Sequence, residues 1–198
     1  IPLNVDWQYL TIEQAAADHH KIVASLKTIY EGKWLSTGGS KGGKAALIHK
    51  RFYPEDVDAT VAFVAPIALG LPDLRLDEFL NTHGSEECRD NIKNFQRMAL
   101  STKREEMIDK IEEYSTENGF TFPIDAETLL EYSVVDYQFS FWQYNSIDCA
   151  LIPVESSTDQ EIFNHLIEVS PLLFYEDRLI SNLEPFFYQA FTQAGMYY

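Results

Sequence analysis

The chain has 198 residues, of which 45% are hydrophobic, and 31 acidic against 15 basic residues give it a formal net charge of −16. This charge argues against nucleic acid and anionic membrane surfaces as partners, because their phosphates would be repelled, and the hydrophobic fraction excludes wholesale disorder. No hydrophobic run approaches the roughly 20 residues that a membrane-spanning helix needs. The chain opens at Ile1 without an initiator methionine or a signal-peptide pattern, so we expect a processed product or a cut piece.

The first predicted helix covers residues 11–30. Thr11 and Gln14, three residues apart, form a capping box, and hydrophobic residues recur after it at helical spacing. His19 and His20 lie in the middle of this helix. Adjacent residues point to different faces of a helix and do not ligate one metal ion together. This pair therefore predicts no metal site. We also expect no cofactor.

A glycine-rich turn then joins a predicted strand to a predicted helix. Trp34 and Leu35 belong to a short strand that ends at Thr37, and the helix opens with residues 45–48. The turn between them reads Gly38-Gly39-Ser40-Lys41-Gly42-Gly43. A Gly-x-Ser-x-Gly pattern between a strand and a helix is typical of a nucleophile elbow.

Ser40 is the residue that we predict to act as a nucleophile. A serine on a sharp strand-to-helix turn has a strained backbone, and we expect Gly38 and Gly42 to lack side chains so that strand and helix can close. The backbone N–H of Lys41 would lie at a helix N-terminus, where negative charge develops during acyl transfer. We therefore predict Lys41 as an oxyanion donor.

Two other interpretations of the same turn stay open. Gly38 with Gly43 and Lys44 fits the start of a phosphate-binding loop, but Ala45 stands where that loop has the Ser or Thr that holds magnesium. No later hydrophobic strand ends in an aspartate that would hold the metal. The third interpretation is a glycine-rich turn without chemistry, which is less favoured because four glycines bracket one serine. The alternatives to an enzyme are thus a non-catalytic binding module and a nucleotide-binding protein.

The remainder of the chain changes from strand to helix. Residues 59–67 are almost continuously hydrophobic, as expected for a parallel strand that is covered on both faces. From Leu74 onward we predict a long helix that Ser85 caps and Gly119 ends, and a short helix from Asp125 to Tyr132.

Two more helices are predicted near the end of the chain. Ser157 and Gln160 form a second capping box for a helix that reaches Val169. Pro185 fits the first turn of a last helix, and Gly195 is a candidate for its end.

An aromatic cluster and two cysteines mark the helical region. Most of the aromatic residues are interpreted as the core of that region, and Trp142 could also line a substrate pocket; the cluster comprises Tyr137, Phe139, Phe141, Trp142 and Tyr144. Cys88 and Cys149 either pair with each other or stay two buried thiols, and thiols are the preferred interpretation. Two cysteines do not settle the redox compartment.

Five stretches of the chain together resemble a known family: residues 34–43 with the glycine-rich turn, and residues 51–66, 7–20, 87–89 and 137–143. They are similar to the secreted bacterial prolyl tripeptidyl aminopeptidases, serine peptidases related to the lysosomal prolyl carboxypeptidases. The resemblance implies an α/β-hydrolase core with a helical lid inserted after the middle strands of the sheet. It also implies hydrolysis through an acyl-enzyme, with short peptides or amides as substrates, often with proline near the cleaved bond.

The base and the acid of a hydrolase triad are not evident in this chain. The order in such hydrolases is Ser, then Asp or Glu, then His on a loop after a late strand. None of the histidines after Ser40 has that context, and His83 is the least implausible substitute; they are His49, His83 and His165. Asp148 and Asp159 are equally ill-placed as the acid. In the family resembled, the acid and the base follow the lid.

We therefore predict an α/β chain with a partial α/β-hydrolase core of few parallel strands at residues 1–73 and a mostly α-helical lid at residues 74–198. The predicted function is that of a serine peptidase of the aminopeptidase or tripeptidyl peptidase type, acting on peptides through Ser40 and nearly inactive as this chain alone. We expect a secreted or periplasmic location. The sequence makes no prediction about the oligomeric state.

Overall fold

The structure is a computed structural model that describes residues 6–70, 72–144 and 147–195. Contacts divide the chain into two compact units: unit 1 is Ile1–Leu76 with Leu183–Tyr198, and unit 2 is Asp77–Asn182. In the described residues a two-stranded parallel sheet accompanies a predominantly helical remainder, which confirms the predicted class of a partial α/β fold with a helical region. The division at residue 73 stays a prediction about domains, and it differs from the two units in where residues 183–198 belong.

Helix α1 of unit 1 spans Ile12–Lys27 and begins where the sequence predicts. The hydroxyl of Thr11 accepts a hydrogen bond from the backbone N–H of Gln14 at 3.0 Å, which satisfies one of the amides that a helix N-terminus leaves free. The helix ends three residues earlier than the predicted end at Tyr30.

Strand β1 (Leu35–Gly39), helix α2 (Lys41–Phe52) and strand β2 (Ala59–Phe63) follow one another in unit 1. The two strands pair in parallel, in register from Leu35 opposite Ala59 to Gly39 opposite Phe63. The predicted turn of six residues is therefore wrong, because the strand continues through Gly39 and the helix starts at Lys41. Pairing with β2 carries β1 to Gly39, and Ser40 alone makes the turn.

Strand β2 is shorter than predicted. It ends at Phe63 instead of Ile67, because Val64 has a φ of 44° that leaves the extended conformation. Pro66, which lacks a backbone N–H, cannot continue the hydrogen-bond ladder.

The hydrophobic core of the described residues lies in unit 2. Helices α4 (Glu86–Leu100), α5 (Arg104–Asn118), α6 (Ala126–Tyr144) and α7 (Asp159–Val169) form it, and α6 contacts each of the other three. Fully buried side chains of this core include Ile92, Met107, Leu129, Tyr137 and Leu166. Unit 1 instead buries mainly small residues such as Ala16, Ala46 and Val57.

The long helix predicted from Ser85 to Gly119 is in fact two helices. The chain turns at Ser101–Lys103, where the Ser101 hydroxyl donates to the carbonyl of Arg97 at 2.5 Å and the Lys103 amide donates to Met98 O at 3.0 Å. The turn lets the buried faces of α4 and α5 both pack against α6, which one straight helix could not do. Gly119 ends α5 in the left-handed conformation with a φ of 64°, as predicted.

Helix α6 is longer than the predicted segment that ends at Tyr132. It continues to Tyr144 because its later turns bury Tyr137 and Phe141, which are 0% and 2% exposed. The aromatic cluster is thus core at these two positions, as predicted, whereas Tyr144 is exposed. The capping box predicted at residues 157 and 160 is also displaced by one residue, because Thr158 and Glu161 exchange the two hydrogen bonds.

The last helical stretch starts earlier than predicted. Helix α8 spans Asp177–Gln189, so Pro185 lies inside it instead of in its first turn. The start is displaced because the buried carboxylate of Glu176 accepts hydrogen bonds from the amides of Arg178 and Leu179 at 2.9 and 3.2 Å. A π-helical turn, Ala190–Ala194, follows α8 and ends before Gly195. Helix α3, Leu74–Thr82, completes the α-helices of the described residues.

Cys88 and Cys149 form a disulfide bond, so the preferred prediction of two buried thiols is wrong. The first turn of α4 carries Cys88, and a 3₁₀ turn at Cys149–Leu151 lies against it, so that the two Cα atoms are 5.3 Å apart. Asn91 supports the approach by donating its side-chain amide to Cys149 O at 3.3 Å. Cysteines 61 residues apart in sequence show no pattern that reveals such a contact.

None of the helices in the described part of the chain combines the length and the hydrophobicity needed to cross a bilayer.

Candidate active site

Ser40 occupies the corner between β1 and α2. It is the single residue between Gly39, which ends the strand, and Lys41, which begins the helix. Its backbone has a φ of 53° and a ψ of −126°, a combination that non-glycine residues rarely adopt and that costs on the order of 1–3 kcal/mol. The side chain is exposed. A strained, exposed serine on a strand-to-helix corner is the geometry expected of a nucleophile elbow.

The backbone of Ser40 is held by hydrogen bonds while its hydroxyl is not used as a cap. The Ser40 amide donates to Phe63 O at 3.0 Å, and Ser40 O accepts from the Lys44 amide at 3.1 Å. Ser40 occupies the N-cap position of α2, yet its side chain makes no capping hydrogen bond. The hydroxyl is therefore left for other chemistry, whereas most N-cap serines use it to satisfy the helix.

The N-terminus of α2 supplies donors beside this hydroxyl. The first amides of a helix have no partner within the helix, and the helix dipole adds partial positive charge there. The amide of Lys41 is the first of these and directly follows Ser40. An oxyanion that forms on a carbonyl attacked by Ser40 would thus meet a donor that is already in place.

Two glycines permit the close approach of α2 to β1. A Cβ atom on Gly38 would lie 2.5 Å from Gly42 O and 2.9 Å from Gly43 N, and one on Gly43 would lie 2.9 Å from Gly38 O and 3.0 Å from Phe63 O. A Cβ on Gly39 or Gly42 would meet nothing within 4 Å. The expectation that Gly38 and Gly42 must lack side chains is therefore correct for Gly38 and wrong for Gly42, because Gly43 faces the strands.

The two lysines of the turn region are engaged within unit 1. Lys44 Nζ donates to Ala194 O and Gly195 O, at 2.5 and 3.1 Å, and partial burial lowers the pKa of its ammonium. A phosphate-binding loop needs this lysine to face the phosphates, so its position argues against that interpretation. Lys41 Nζ lies 5.2 Å from the ring centroid of Phe186, at the distance of a cation–π contact.

Two histidines of unit 1 share one carboxylate. His20 Nδ1 lies 2.9 and 2.8 Å from the two oxygens of Asp56, and His49 Nε2 lies 2.8 Å from Asp56 Oδ2. Burial tends to raise the pKa of Asp56, but the hydrogen bonds and charges of the two histidines outweigh it, so its pKa is lowered. His49 comes nine residues after Ser40 on α2, about 14 Å along the helix axis. The pair ties α1 to the end of α2 and does not reach the corner.

The other histidines have partners of their own. His19 contacts His49 edge-on, at 5.6 Å between ring centroids. In unit 2, His83 stacks on Phe79 at 4.6 Å, and His165 Nε2 lies 2.7 Å from the hydroxyl of Tyr137. Burial lowers the pKa of His165, with the charge of Glu168 opposing it. None of the contacts found for the histidines involves Ser40.

The structure brings together some of the residues predicted from the sequence and gives roles to residues that were not predicted. It brings Gly38, Ser40 and Lys41 together at one corner, because a strand, one residue and a helix are consecutive in the chain. Gly43, which the sequence predicted as part of the turn, faces the strands. Asp56 gains a role that no sequence pattern indicated, since its contacts with two histidines depend on packing. Within the described residues, no cluster of three or more His, Cys, Asp or Glu side chains is arranged to hold a metal ion.

Comparison with known proteins identifies relatives. The family described as PS-10 peptidase S37 matches residues 1–197. A prolyl tri/tetrapeptidyl aminopeptidase from Streptomyces mobaraensis is 38% identical over 198 residues, which cover 98% of this chain and 41% of that protein. The chain thus spans about two fifths of the length of this relative. No solved structure matches the chain. The family match over nearly all of its residues, together with the serine corner that the structure contains, shows that the chain belongs to the PS-10 peptidase S37 family.

Proposed function

We propose that this chain carries the nucleophile of a serine peptidase, and that the nucleophile is Ser40. The observation that carries the proposal is the corner itself, where an exposed hydroxyl on a strained residue makes no cap and adjoins the free amides of α2. Membership of a peptidase family supports the reaction class. Lys41 contributes its backbone N–H as one oxyanion donor.

The reaction proceeds by acyl transfer. Ser40 Oγ attacks the carbonyl carbon of the peptide bond, and its proton passes to a general base. Negative charge builds on the carbonyl oxygen, where the Lys41 amide and the dipole of α2 stabilise it. The C–N bond then breaks, the base returns the proton to the leaving amine, and water hydrolyses the ester on Ser40 to release the acid.

The proposed substrates are short peptides with proline near the cleaved bond. The name of the relative from Streptomyces mobaraensis supports this class, since it describes a prolyl tri/tetrapeptidyl aminopeptidase. The net charge of −16 is compatible with a peptide that carries a free ammonium. We also propose a secreted or periplasmic location, which the Cys88–Cys149 disulfide supports because such bonds persist in oxidising compartments.

The base and its orienting acid lie outside these 198 residues in this proposal. Two observations support it: the histidines of the chain contact other groups, and the chain spans 41% of its relative. A serine hydroxyl without a base is a poor nucleophile at neutral pH. We therefore expect the isolated chain to be nearly inactive on peptides and esters.

A fluorophosphonate probe tests the role of Ser40 in the full-length protein that contains this chain. We expect the probe to label Ser40, and Ser40→Ala to abolish labelling and to lower peptidase kcat by a factor on the order of 10⁶. Ser85→Ala is the matched control, because Ser85 is also an N-cap serine but its hydroxyl accepts the Cys88 amide at 3.1 Å. This variant is expected to keep both labelling and activity.

Three results would each overturn a part of the proposal. If Ser40 stays unlabelled in a full-length protein that is folded, the corner serves structure and the chain is a non-catalytic binding module. If the purified 198-residue chain turns over peptides readily and loses this activity in Ser40→Ala, a base is present within it. A thermal shift on addition of magnesium nucleotide would instead favour the phosphate-loop interpretation.

A further inference from the structure

Val64 adjoins the Ser40 corner across the two strands. The last pair in the register is Gly39 with Phe63, so the next residue on each strand is Ser40 on β1 and Val64 on β2. Phe63 O accepts the amide of Ser40 at 3.0 Å, and Val64 is the residue that follows this carbonyl. Neighbouring strands lie about 4.8 Å apart. Both residues are thus at the carboxyl edge of the parallel strands, where α/β folds bind their ligands.

The backbone of Val64 is unusual in the same way as that of Ser40. The two have φ values of 44° and 53°, and they are the non-glycine residues with positive φ in the described part of the chain. A β-branched side chain in this region is a genuine outlier, at a cost on the order of 1–3 kcal/mol. Glycine or asparagine would occupy such a position with less strain. A valine there needs a compensating reason.

Packing inside the chain does not supply that reason. Val64 is 85% exposed, the highest value among the large hydrophobic side chains that the structure describes. Within these 198 residues, a strained valine that buries almost nothing contributes little to stability. Strained residues cluster at functional sites because the conformation serves a ligand. A compact hydrophobic surface next to a nucleophile is suited to contact the side chain of the residue under attack.

We propose that Val64 forms a hydrophobic wall of the subsite for the residue whose carbonyl Ser40 attacks, and that it selects compact hydrophobic residues such as proline there. The inference rests on the proposed function, since it takes Ser40 as the nucleophile. The positive φ takes Val64 out of the strand, and the alternation of β2 is broken there because Phe63 and Val64 are both exposed. Shortening this side chain removes contact area from the acyl residue of the substrate and leaves the hydroxyl and the oxyanion donor in place.

The test compares full-length proteins on peptide 7-amido-4-methylcoumarins that differ only in proline or alanine before the cleaved amide. We expect Val64→Ala to lower the ratio of kcat/KM for proline over alanine about tenfold, as the loss of methyl groups from a hydrophobic pocket does. Val61→Ala is the matched control, because Val61 lies on the same strand, is 40% exposed and keeps an ordinary strand conformation. Its ratio should equal that of the unmodified protein.

Labelling with a small fluorophosphonate separates the two proposals. If Ser40 labels at the normal rate in Val64→Ala but the ratio matches that of Val61→Ala, the subsite inference is wrong and the nucleophile stands. If Ser40 never labels in the unmodified protein, the proposed function is wrong, and so is the subsite inference that rests on it. Should Val64→Ala fail to fold, Val64→Gly relieves the positive φ while it removes the side chain, and an unchanged ratio in that variant equally overturns the inference.

Discussion

The closeness of α2 to β1 predicts that Gly38→Ala damages unit 1 more than any other alanine at the turn. The added Cβ would lie 2.5 Å from Gly42 O, whereas ordinary contacts of such an atom begin at 3.4 Å, so a backbone carbonyl must retreat by about 0.9 Å (3.4 − 2.5). Backbone cannot move aside as a flexible side chain can. Overpacking of this kind costs about 1–3 kcal/mol, and we expect the upper end of that range.

Gly42→Ala is the matched control for this substitution. Gly42 lies in the first turn of α2, and a Cβ there meets nothing within 4 Å. Alanine favours a helix over glycine by up to about 1 kcal/mol, so this variant should be neutral or slightly more stable. Each kcal/mol shifts the melting temperature by about 2–4 °C in a protein of this size. The two variants should therefore differ by roughly 6 °C or more.

Thermal unfolding by circular dichroism measures the difference, and hydrogen exchange of peptides from residues 35–52 assigns it to the corner. In Gly38→Ala we expect faster exchange in α2. In the full-length protein we expect slower fluorophosphonate labelling of Ser40, because a displaced helix carries the Lys41 amide away from the hydroxyl. Equal melting temperatures for Gly38→Ala and Gly42→Ala would refute the reasoning. The helix would then not be held against the strand as closely as the structure shows.

Three further predictions concern other contacts. The two histidine partners of Asp56 lower its pKa, so the contribution of this carboxylate to stability is present above about pH 4 and is lost as pH falls through the lowered pKa. Urea unfolding of Asp56→Asn should lack this part of the pH dependence. A pH profile identical to that of the unmodified protein would contradict the prediction. The Cys88–Cys149 disulfide closes a loop with a sequence separation of 61. Its reduction should lower the free energy of unfolding of unit 2 by up to about 4 kcal/mol, as measured by unfolding with and without dithiothreitol. Detection of free thiols in the denatured, unreduced protein would contradict the bond. Burial lowers the pKa of His165, so the unfolded chain binds more protons than the folded one below about pH 6.5, and unit 2 should lose stability as pH falls below this value. His165→Asn should remove this pH dependence of the free energy of unfolding. Tyr137→Phe, which leaves His165 without its 2.7 Å partner, should instead lower the free energy of unfolding by about 1–2 kcal/mol at pH 7.5.

Several elements of the fold could be predicted because their causes lie within a few residues of chain. The Thr11 hydroxyl reaches the Gln14 amide, and Gly119 ends α5 with a positive φ that suits glycine. The position of Ser40 between a strand and a helix belongs to the same class, although the predicted length of the turn was wrong.

Other predictions failed where contacts with a distant part of the chain determine the local structure. Pairing with β2 extends β1 to Gly39, and packing against α6 requires the turn that separates α4 from α5. The displaced capping box at Thr158 shows a smaller version of the problem, because several adjacent polar residues can cap a helix and only the final geometry chooses one.

The sequence by itself determined that Ser40 would lie between a strand and a helix, because this depends on the backbone preferences of neighbouring residues. Only the tertiary structure decided that Gly43 and not Gly42 faces the strands, that Cys88 bonds to Cys149, and that Val64 stands beside Ser40. The physical reason is the distance along the chain over which each kind of interaction acts. Backbone preferences act over about four residues, whereas van der Waals exclusion and hydrogen bonding join any atoms that packing brings within 3–4 Å.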